Sequence, residues 1–228
     1  MENQIINSYS RIPTLNVSRE TCNDFENLIS MIQEKNKEIN LISREMFEKE
    51  QIRERHIIDS AQIIDFVDLN THTICDLGTG GGMPGIIVAI VMKKIKNDMK
   101  INLYEKSYHK CVFLREVSKK LRLNTDVIEK DIFTVKNIHT GTIMSRAFKP
   151  MPVILDLVNQ NFRKYKNIVL FMGSSGRKTL NDTLKEWDLD YEEKKSLTNN
   201  DSFILNIKKI KKKFHENNID NKSKGWGR

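Results

Sequence analysis

The fold is decided by the stretch Ile74-Cys75-Asp76-Leu77-Gly78-Thr79-Gly80-Gly81-Gly82-Met83-Pro84-Gly85, in which an apolar run ends in an acid and a glycine-rich turn follows. Pro84 then supplies a residue that can open a helix. The stretch holds five of the ten glycines in the 228-residue chain, and glycine lets the backbone turn sharply and approach a ligand closely. A strand, a glycine loop and a helix N-terminus in this order predict a nucleotide-binding turn.

Strand-like and helix-like segments alternate from residue 73 onward. The predicted strands cover residues 73–77, 101–105, 127–128, 142–145 and 168–172, and the predicted helices cover 84–95, 108–122, 150–163 and 176–186. This alternation predicts a mostly parallel sheet with helices on both faces. Two further strands, at 189–196 and 202–208, are joined without a helix and are expected to pair antiparallel at an edge. The predicted fold class is therefore α/β, Rossmann-like, with a seven-stranded sheet.

The segments on either side of this sheet have different patterns. Residues 1–70 predict an N-terminal helical subdomain, because apolar residues such as Phe25, Leu28 and Ile32 recur at helical spacing after Ser18. Residues 71–210 form the predicted ligand-binding domain. Residues 211–228 are basic and polar, so we expect a disordered tail.

Composition and charge indicate the kind of partner that the protein binds and the cellular compartment in which it acts. The net charge of +8 favours a polyanionic partner. No run of about 18 apolar residues is present, and the first residues lack the pattern of a signal peptide, so we expect a cytoplasmic protein that does not span a membrane. The three cysteines are widely spaced, which predicts neither a disulfide framework nor a metal site.

Two acids at the predicted strand ends indicate the ligand. Asp76 would repel the pyrophosphate of a dinucleotide, whereas S-adenosylmethionine has no phosphate and carries a cationic sulfonium and ammonium. Glu105 ends the second strand, where an acid accepts the ribose hydroxyls of a nucleoside. The alternative is that Asp76 caps the turn and that Glu105 pairs with Lys106 or Lys110.

Other polar and aromatic residues are expected near the same edge of the sheet. Asp131 follows the third strand and either accepts the adenine amine or lies in a surface turn. Arg146 ends the fourth strand and either holds a phosphate or the O6 edge of guanine or is simply solvated. Phe148 is placed to stack on a base. His56 lies outside the strands, and Asp59 or a backbone carbonyl is expected to satisfy it.

The chain resembles the small-subunit (16S) ribosomal RNA methyltransferase G family, also called glucose-inhibited division protein B, over about residues 36–208. The motifs that carry the resemblance are Asn40-Leu41-Ile42, Arg55-His56-x-x-Asp59-Ser60, the loop from Asp76 to Gly85, Lys110-x-x-Phe113-Leu114 and Ser145-Arg146-Ala147-Phe148. The resemblance implies a class I methyltransferase domain, S-adenosylmethionine as cofactor, and transfer of its methyl group to N7 of a guanine in ribosomal RNA of the small subunit. We also expect a monomer.

Together, the residues and the resemblance predict the site. The expected cofactor-binding residues are Asp76, Gly78, Thr79, Gly80, Gly82, Met83, Gly85, Glu105, Lys130, Asp131, Ile132 and Arg146. Arg146 is also the expected catalytic residue, and the expected substrate-binding residues are Arg55, His56 and Phe148.

The chain departs from the family pattern at Met172-Gly173, where Lys-Gly is usual, so a divergent methyltransferase acting on a small heterocyclic substrate is the first alternative function. Arg177 or Lys178 is a candidate to replace the missing lysine. An RNA-binding or assembly module that binds the cofactor without turnover is a second alternative. A nicotinamide oxidoreductase is a third, which Asp76 disfavours.

Overall fold

The computed structural model describes residues 8–12, 17–43, 45 and 47–213. Its strands in chain order are β1 (Thr73–Leu77), β2 (Lys100–Glu105), β3 (Thr125–Glu129), β4 (Ile138–His139), β5 (Thr142–Ser145), β6 (Phe162–Lys164), β7 (Asn167–Met172), β8 (Trp187–Lys195) and β9 (Phe203–Lys212). Its helices are α1 (Arg19–Lys35), α2 (Lys49–Ile52), α3 (Asp59–Ala61), α4 (Gly85–Ile95), α5 (Tyr108–Lys120), α6 (Met151–Asn161) and α7 (Gly176–Glu186). A π-helix, Arg53–Ile58, joins α2 to α3, and short 3₁₀ turns occupy Ile64–Phe66 and Ile132–Thr134.

The main sheet has seven strands in the order β3-β2-β1-β5-β7-β9-β8. Strands β1, β2, β3, β5 and β7 are parallel, and the hairpin β8–β9 pairs antiparallel against β7. This arrangement confirms the predicted fold class. The chain moves outward from β1 to β2 and β3, then crosses back to β5 on the other side of β1. The carboxyl ends of β1 and β5 therefore flank a switch point, where ligands bind in open α/β sheets.

Two local predictions were incomplete. A second, two-stranded sheet pairs β4 with β6, because the helix predicted over 150–163 ends at Asn161 and the next residues are extended. Strand β9 runs to Lys212, beyond the predicted end at residue 208, because Lys211 and Lys212 continue the pairing with β8. Of the predicted tail, residues 214–228 lie outside the described part of the chain.

The N-terminal helices pack against α4 and α5, the helices that follow β1 and β2. Helix α1 begins at Arg19, and the Ser18 side chain caps it by accepting from the Thr21 N–H. Its apolar face is buried in the same core cluster as the apolar face of α4, which follows the glycine loop. Arg53 anchors the π-helix to α1 through hydrogen bonds of 2.9 Å from its Nε and Nη2 to the two Glu26 oxygens. The π-helix is thus held firmly beside the switch point.

Candidate active site

A cavity of about 560 Å³ lies at the carboxyl ends of β1, β2 and β5. Its volume is within the usual range for small-molecule sites. Among the predicted residues, those that line it are Gly78, Thr79, Gly80, Met83, Glu105, Lys130, Asp131, Ile132, Arg146, His56 and Phe148. Asp76, Gly82 and Gly85 do not line this cavity, and Arg55 lines a neighbouring one.

Asp76 is fully buried beneath the glycine loop. Its Oδ2 accepts from the Thr79 hydroxyl at 2.5 Å and from the Gly85 N–H at 2.8 Å, so it ties both ends of the loop to β1. These contacts match the alternative in which Asp76 holds the turn, and direct contact with a cofactor stays a prediction. Its Oδ1 is buried without a hydrogen-bond partner. Burial raises the pKa of Asp76 to about 7, against the lowering effect of its two hydrogen bonds.

The hydrogen bond from the Gly85 N–H to Asp76 argues against a dinucleotide as the ligand. In dinucleotide-binding turns the pyrophosphate sits at the N-terminus of the helix, on free backbone N–H groups. Here the N–H of Gly85, the first residue of α4, is already bonded to the Asp76 carboxylate. An anionic pyrophosphate would have to displace or approach that carboxylate, whereas a cationic ligand without phosphate would not.

Glu105 faces the loop from the end of β2. One carboxylate oxygen accepts from the Gly80 N–H at 3.0 Å and the other from the Ser107 N–H at 2.8 Å. Each oxygen retains a further lone pair, because a carboxylate accepts about four hydrogen bonds. Among the described residues, Glu105 does not pair with Lys106 or Lys110, which was the alternative expectation, and its side chain lines the cavity.

Neighbouring side chains leave no room for a Cβ at two glycines of the loop, so these glycines are needed even without a ligand. Gly78 has φ +66°, and a Cβ there would lie 2.0 Å from a ring carbon of Phe148. Phe148 therefore packs directly on the loop. A Cβ at Gly82 would lie 2.5 Å from the Ile86 side chain, so this glycine allows close packing of the loop on α4. Gly78 and Gly82 are thus required by contacts that the sequence motif does not reveal.

Arg146 leaves the end of β5 and reaches the N-terminal π-helix. Its Nη2 donates to the Arg55 carbonyl at 2.8 Å and lies 3.1 Å from Asp59 Oδ2, while Nη1 lies 3.2 Å from His56 Nδ1. The expected alternative of a solvated arginine is therefore wrong. The next residue, Ala147, has φ 49°, a left-handed conformation that is uncommon outside glycine. This turn lets Arg146 face the π-helix while Phe148 packs over Gly78.

The hydrogen-bond partner of the His56 ring differs from the expected one. A guanidinium can only donate, so His56 Nδ1 accepts from Arg146 and the proton of the neutral ring lies on Nε2. Nε2 is buried and has no partner in the described residues, and neither Asp59 nor a carbonyl bonds this ring. Burial, and then the nearby positive charges of Arg146 and Arg55, lower the pKa of His56 to about 4. The ring is therefore neutral at physiological pH.

Lysines surround the mouth of the cavity. Lys106, Lys110, Lys130 and Lys149 all line it, and none of them forms an ion pair within the part of the chain that the structure describes. Two aromatic rings, Tyr108 and Phe133, are exposed beside them. Unpaired cations with interspersed aromatic side chains are typical of surfaces that bind nucleic acid.

Sequence reasoning missed several lining residues, which are Leu41, Ile42, Gly81, Tyr104, Lys106, Lys110, Phe133, Ala147 and Lys149. Leu41 and Ile42 are positioned by Asn36, whose Oδ1 accepts from both of their N–H groups at 2.8 and 3.0 Å. The motif Asn40-Leu41-Ile42 was the available signal for this wall. The lysines carry a simpler signal, since each lies within a few residues of a strand end.

Two candidates for replacing the family's lysine lie elsewhere. Arg177 forms a two-bond ion pair with Glu193 and its guanidinium lies 4.3 Å from the centre of the Phe203 ring. Lys178 is 88% exposed and lies 3.9 Å from Asp182. Met172 itself is buried at the end of β7. Neither Arg177 nor Lys178 therefore lines the cavity or its neighbour, so neither replaces the lysine that is usual at the position of Met172.

Comparison with known proteins identifies the family. The model of the rRNA small subunit methyltransferase G family matches residues 21–207. The chain belongs to this family. It is 57% identical to Ribosomal RNA small subunit methyltransferase G of Pelagibacter ubique (strain HTCC1062) over 210 residues, which cover 92% of this chain and 99% of that protein. It is 29% identical to the protein of the same name from Ruegeria sp. (strain TM1040), over 87% of this chain and 95% of that protein.

A solved structure has a similar fold. A crystal structure of a SAM-dependent methyltransferase from Aquifex aeolicus aligns with a TM-score of 0.51 and 12% identity, over 68% of this chain and 92% of that chain. At this identity the likeness concerns the fold alone. No helix among the described residues is long and apolar enough to cross a bilayer.

The family match confirms the resemblance inferred from the motifs.

Proposed function

We propose that this chain transfers a methyl group from S-adenosylmethionine to N7 of a guanine in small-subunit (16S) ribosomal RNA. The observation that carries the proposal is the match to rRNA small subunit methyltransferase G over nearly the whole chain, joined to a nucleoside-sized cavity at the switch point. Within that cavity, Glu105 offers free lone pairs for ribose hydroxyls. The Gly85 N–H, which a pyrophosphate would need, is already bonded to Asp76.

The residues present fit this cofactor. Glu105 would hold the ribose, Asp131 and Ile132 would border the adenine, and the loop Gly78–Gly80 would contact the remainder. When bound, the cofactor supplies a methyl carbon that forms a bond to N7 while its bond to sulfur breaks, and the bonding pair stays on sulfur. N7 of guanine has a free lone pair and no proton at neutral pH, so the chain needs no general base.

The chain's own contribution is then positioning and electrostatics. Two hydrogen-bond acceptors on the π-helix and an ion pair with Asp59 on α3 hold Arg146, so its direction is set before any RNA binds. The lysines at the mouth would attract the RNA backbone. A ribosomal RNA substrate supports a cytoplasmic location.

The test uses small ribosomal subunits from a strain that lacks this gene. We expect the purified protein and S-adenosylmethionine labelled in the methyl group to label the RNA. Borohydride and aniline treatment should then cleave the RNA at one new N7-methylguanine. Glu105→Gln, folded but with a weakened ribose contact, is the matched low-activity control.

Each other outcome favours a different function. Label on free nucleosides or small heterocycles, and none on the subunits, would favour the divergent methyltransferase that Met172 suggests. Binding of both RNA and cofactor without any transfer would favour an assembly module. Tight binding of NADH with none of S-adenosylmethionine would restore the oxidoreductase.

A further inference from the structure

The cofactor cavity is bounded on its β3 side by a short turn, residues 130–134, which we call the wall turn. The residues of the wall turn that line the cavity are Lys130, Asp131, Ile132 and Phe133. Its 3₁₀ segment begins after Asp131, whose side chain accepts from the Phe133 N–H at 3.1 Å. A 3₁₀ segment this short has few hydrogen bonds of its own. The distance between the wall turn and a bound ligand therefore depends on contacts with the rest of the fold.

One buried side chain contacts the wall turn from behind. Asn161, the last residue of α6, is 1% exposed, and its Nδ2 donates to the carbonyls of Ile132 at 3.3 Å and Phe133 at 3.2 Å. Its Oδ1 accepts from Lys136 Nζ at 2.6 Å. The donors and the acceptor of this amide therefore all have partners among the described residues. Asn161 does not itself line the cofactor cavity.

The small sheet of β4 and β6 explains how Asn161 comes to face the wall turn. Helix α6 ends at Asn161, and β6 starts at the next residue, Phe162, which pairs with Ile138 of β4. Strand β4 follows the wall turn closely in the chain. Arg163 adds a side-chain hydrogen bond of 2.9 Å from its Nε to Asn137 Oδ1. These contacts fix the end of α6 beside the wall turn, so the Asn161 amide meets the turn's carbonyls.

We propose that Asn161 is a positioning residue for the cofactor, because it sets where the wall turn stands against the adenine ring. The inference rests on the function proposed above and adds a residue that lies outside the cavity. The Asp131 carboxylate keeps acceptor capacity beyond its bond to the Phe133 N–H, and the exocyclic amine of adenine is a matching donor. Hypoxanthine has a carbonyl in place of that amine and cannot donate there. Misplacement of the wall turn should therefore reduce the preference for adenine.

A second buried asparagine provides a matched control. Asn167 in β7 is 6% exposed, and its Nδ2 donates to the Phe66 carbonyl and to Asn206 Oδ1, both at 2.7 Å. Neither Asn167 nor these two partners line the cofactor cavity. Replacement of either buried asparagine by aspartate removes the amide donors and places a carboxylate against two acceptors. Asn167→Asp therefore reproduces the chemical change of Asn161→Asp at a place remote from the wall turn.

The test measures the binding of two ligands that differ only in the base. These are S-adenosylhomocysteine and S-inosylhomocysteine, whose base is hypoxanthine, and calorimetry gives both dissociation constants. In Asn161→Asp we expect the affinity for S-adenosylhomocysteine to fall about 10-fold, the size of one hydrogen bond. The affinity for S-inosylhomocysteine should change by less than about twofold, because its base makes no amine contact to lose. Asn167→Asp should leave both affinities within about twofold of the wild type.

Steady-state methylation of small ribosomal subunits gives a second measurement. Asn161→Asp should raise the KM for S-adenosylmethionine about 10-fold with kcat unchanged, because the wall turn contacts the adenine end and not the methyl group. Lys136→Met is a milder variant, since both Nδ2 bonds of Asn161 remain and only its Oδ1 loses a partner. It should weaken S-adenosylhomocysteine binding by about 3-fold, which keeps the test valid if Asn161→Asp fails to fold.

The outcomes separate this inference from the proposed function. If the wild type binds S-adenosylhomocysteine and folded Asn161→Asp binds both ligands as tightly, the role of Asn161 is wrong and the function stands. Equal losses for the two ligands, or the same loss in Asn167→Asp, would also overturn the inference, because the effect would then be one of general stability. If the expected binding differences appear but the wild type methylates no RNA, the function is wrong and the role of Asn161 in cofactor binding stands.

Discussion

Replacing Asp76 by asparagine is expected to change the way in which folding stability depends on pH. The carboxyl is fully buried, and its Oδ2 bonds to Thr79 and Gly85 can be kept by the asparagine carbonyl. The substitution therefore removes the titration while retaining the contacts that hold the loop. The difference in unfolding free energy between variant and wild type then isolates this one group.

The sign and size follow from the raised pKa. Between about pH 4 and pH 7 the folded protein keeps a proton on Asp76 that the unfolded chain releases, because burial raises the pKa from 3.8 to about 7. Wild-type stability from this group is present at the lower pH and is lost as the pH rises. At 1.36 kcal/mol for each pKa unit, the loss relative to Asp76→Asn is about 4 kcal/mol.

His56 makes the folding stability change with pH in the opposite direction, over nearly the same pH range. Its pKa is lowered from 6.5 to about 4, so the unfolded chain takes up the proton first and stability is lost as the pH falls. The loss is about 3 kcal/mol relative to His56→Asn. The two effects largely cancel in the wild type, and only the comparison with each variant reveals them.

Urea unfolding at a series of pH values, followed by circular dichroism, measures these differences. The free energy of unfolding of Asp76→Asn should increase relative to that of the wild type as the pH rises. That of His56→Asn should increase relative to the wild type as the pH falls. A difference for Asp76→Asn that stays constant within about 1 kcal/mol across the range would refute the reasoning, because the carboxyl would then have to be solvated rather than buried.

Three further predictions concern binding and turnover. Glu105→Gln should weaken S-adenosylmethionine binding by about 10-fold to 100-fold in calorimetry, since a charged acceptor is lost, and unchanged affinity would remove Glu105 from the ribose site. Asp59→Asn should lower the turnover number by about 10-fold with the cofactor affinity unchanged, because Arg146 loses its ion pair. Asp156→Asn, which loses only the distant pair with Lys212, is its control. Lys149→Ala should reduce the slope of log affinity for RNA against log salt by about 0.7, and an unchanged slope would place the RNA elsewhere.

The sheet could be predicted from sequence because its signals are local. Apolar runs alternating with helical periodicity fix which segments are strands, and the missing helix between β8 and β9 fixes the antiparallel edge. The pairing of β4 with β6 could not be predicted in this way. Each strand has only two or three residues, too few to show a period, and the pair forms where the chain passes between larger elements.

The candidate site was predicted in part, and the division has a physical reason. Residues on the glycine loop and at strand ends could be placed because topology brings those ends together. The partners of Arg146 could not, since Arg55 and His56 lie about 90 residues earlier and meet it only through the packing of the N-terminal helices. The π-helix that presents them has no sequence period of its own, and such segments often occur at functional sites.

Asp76 shows how a correct conclusion can come from a residue with a different role. In the sequence, the charge of Asp76 favours a cationic ligand over a pyrophosphate. In the structure the same carboxylate is sealed beneath the loop and occupies the Gly85 N–H at the start of α4. That contact disfavours a phosphate because it takes the backbone donor that would bind it. Ligand selection at this turn therefore comes from the architecture of the loop, and we predict that Glu105 recognises the cofactor and that Arg146 recognises the substrate.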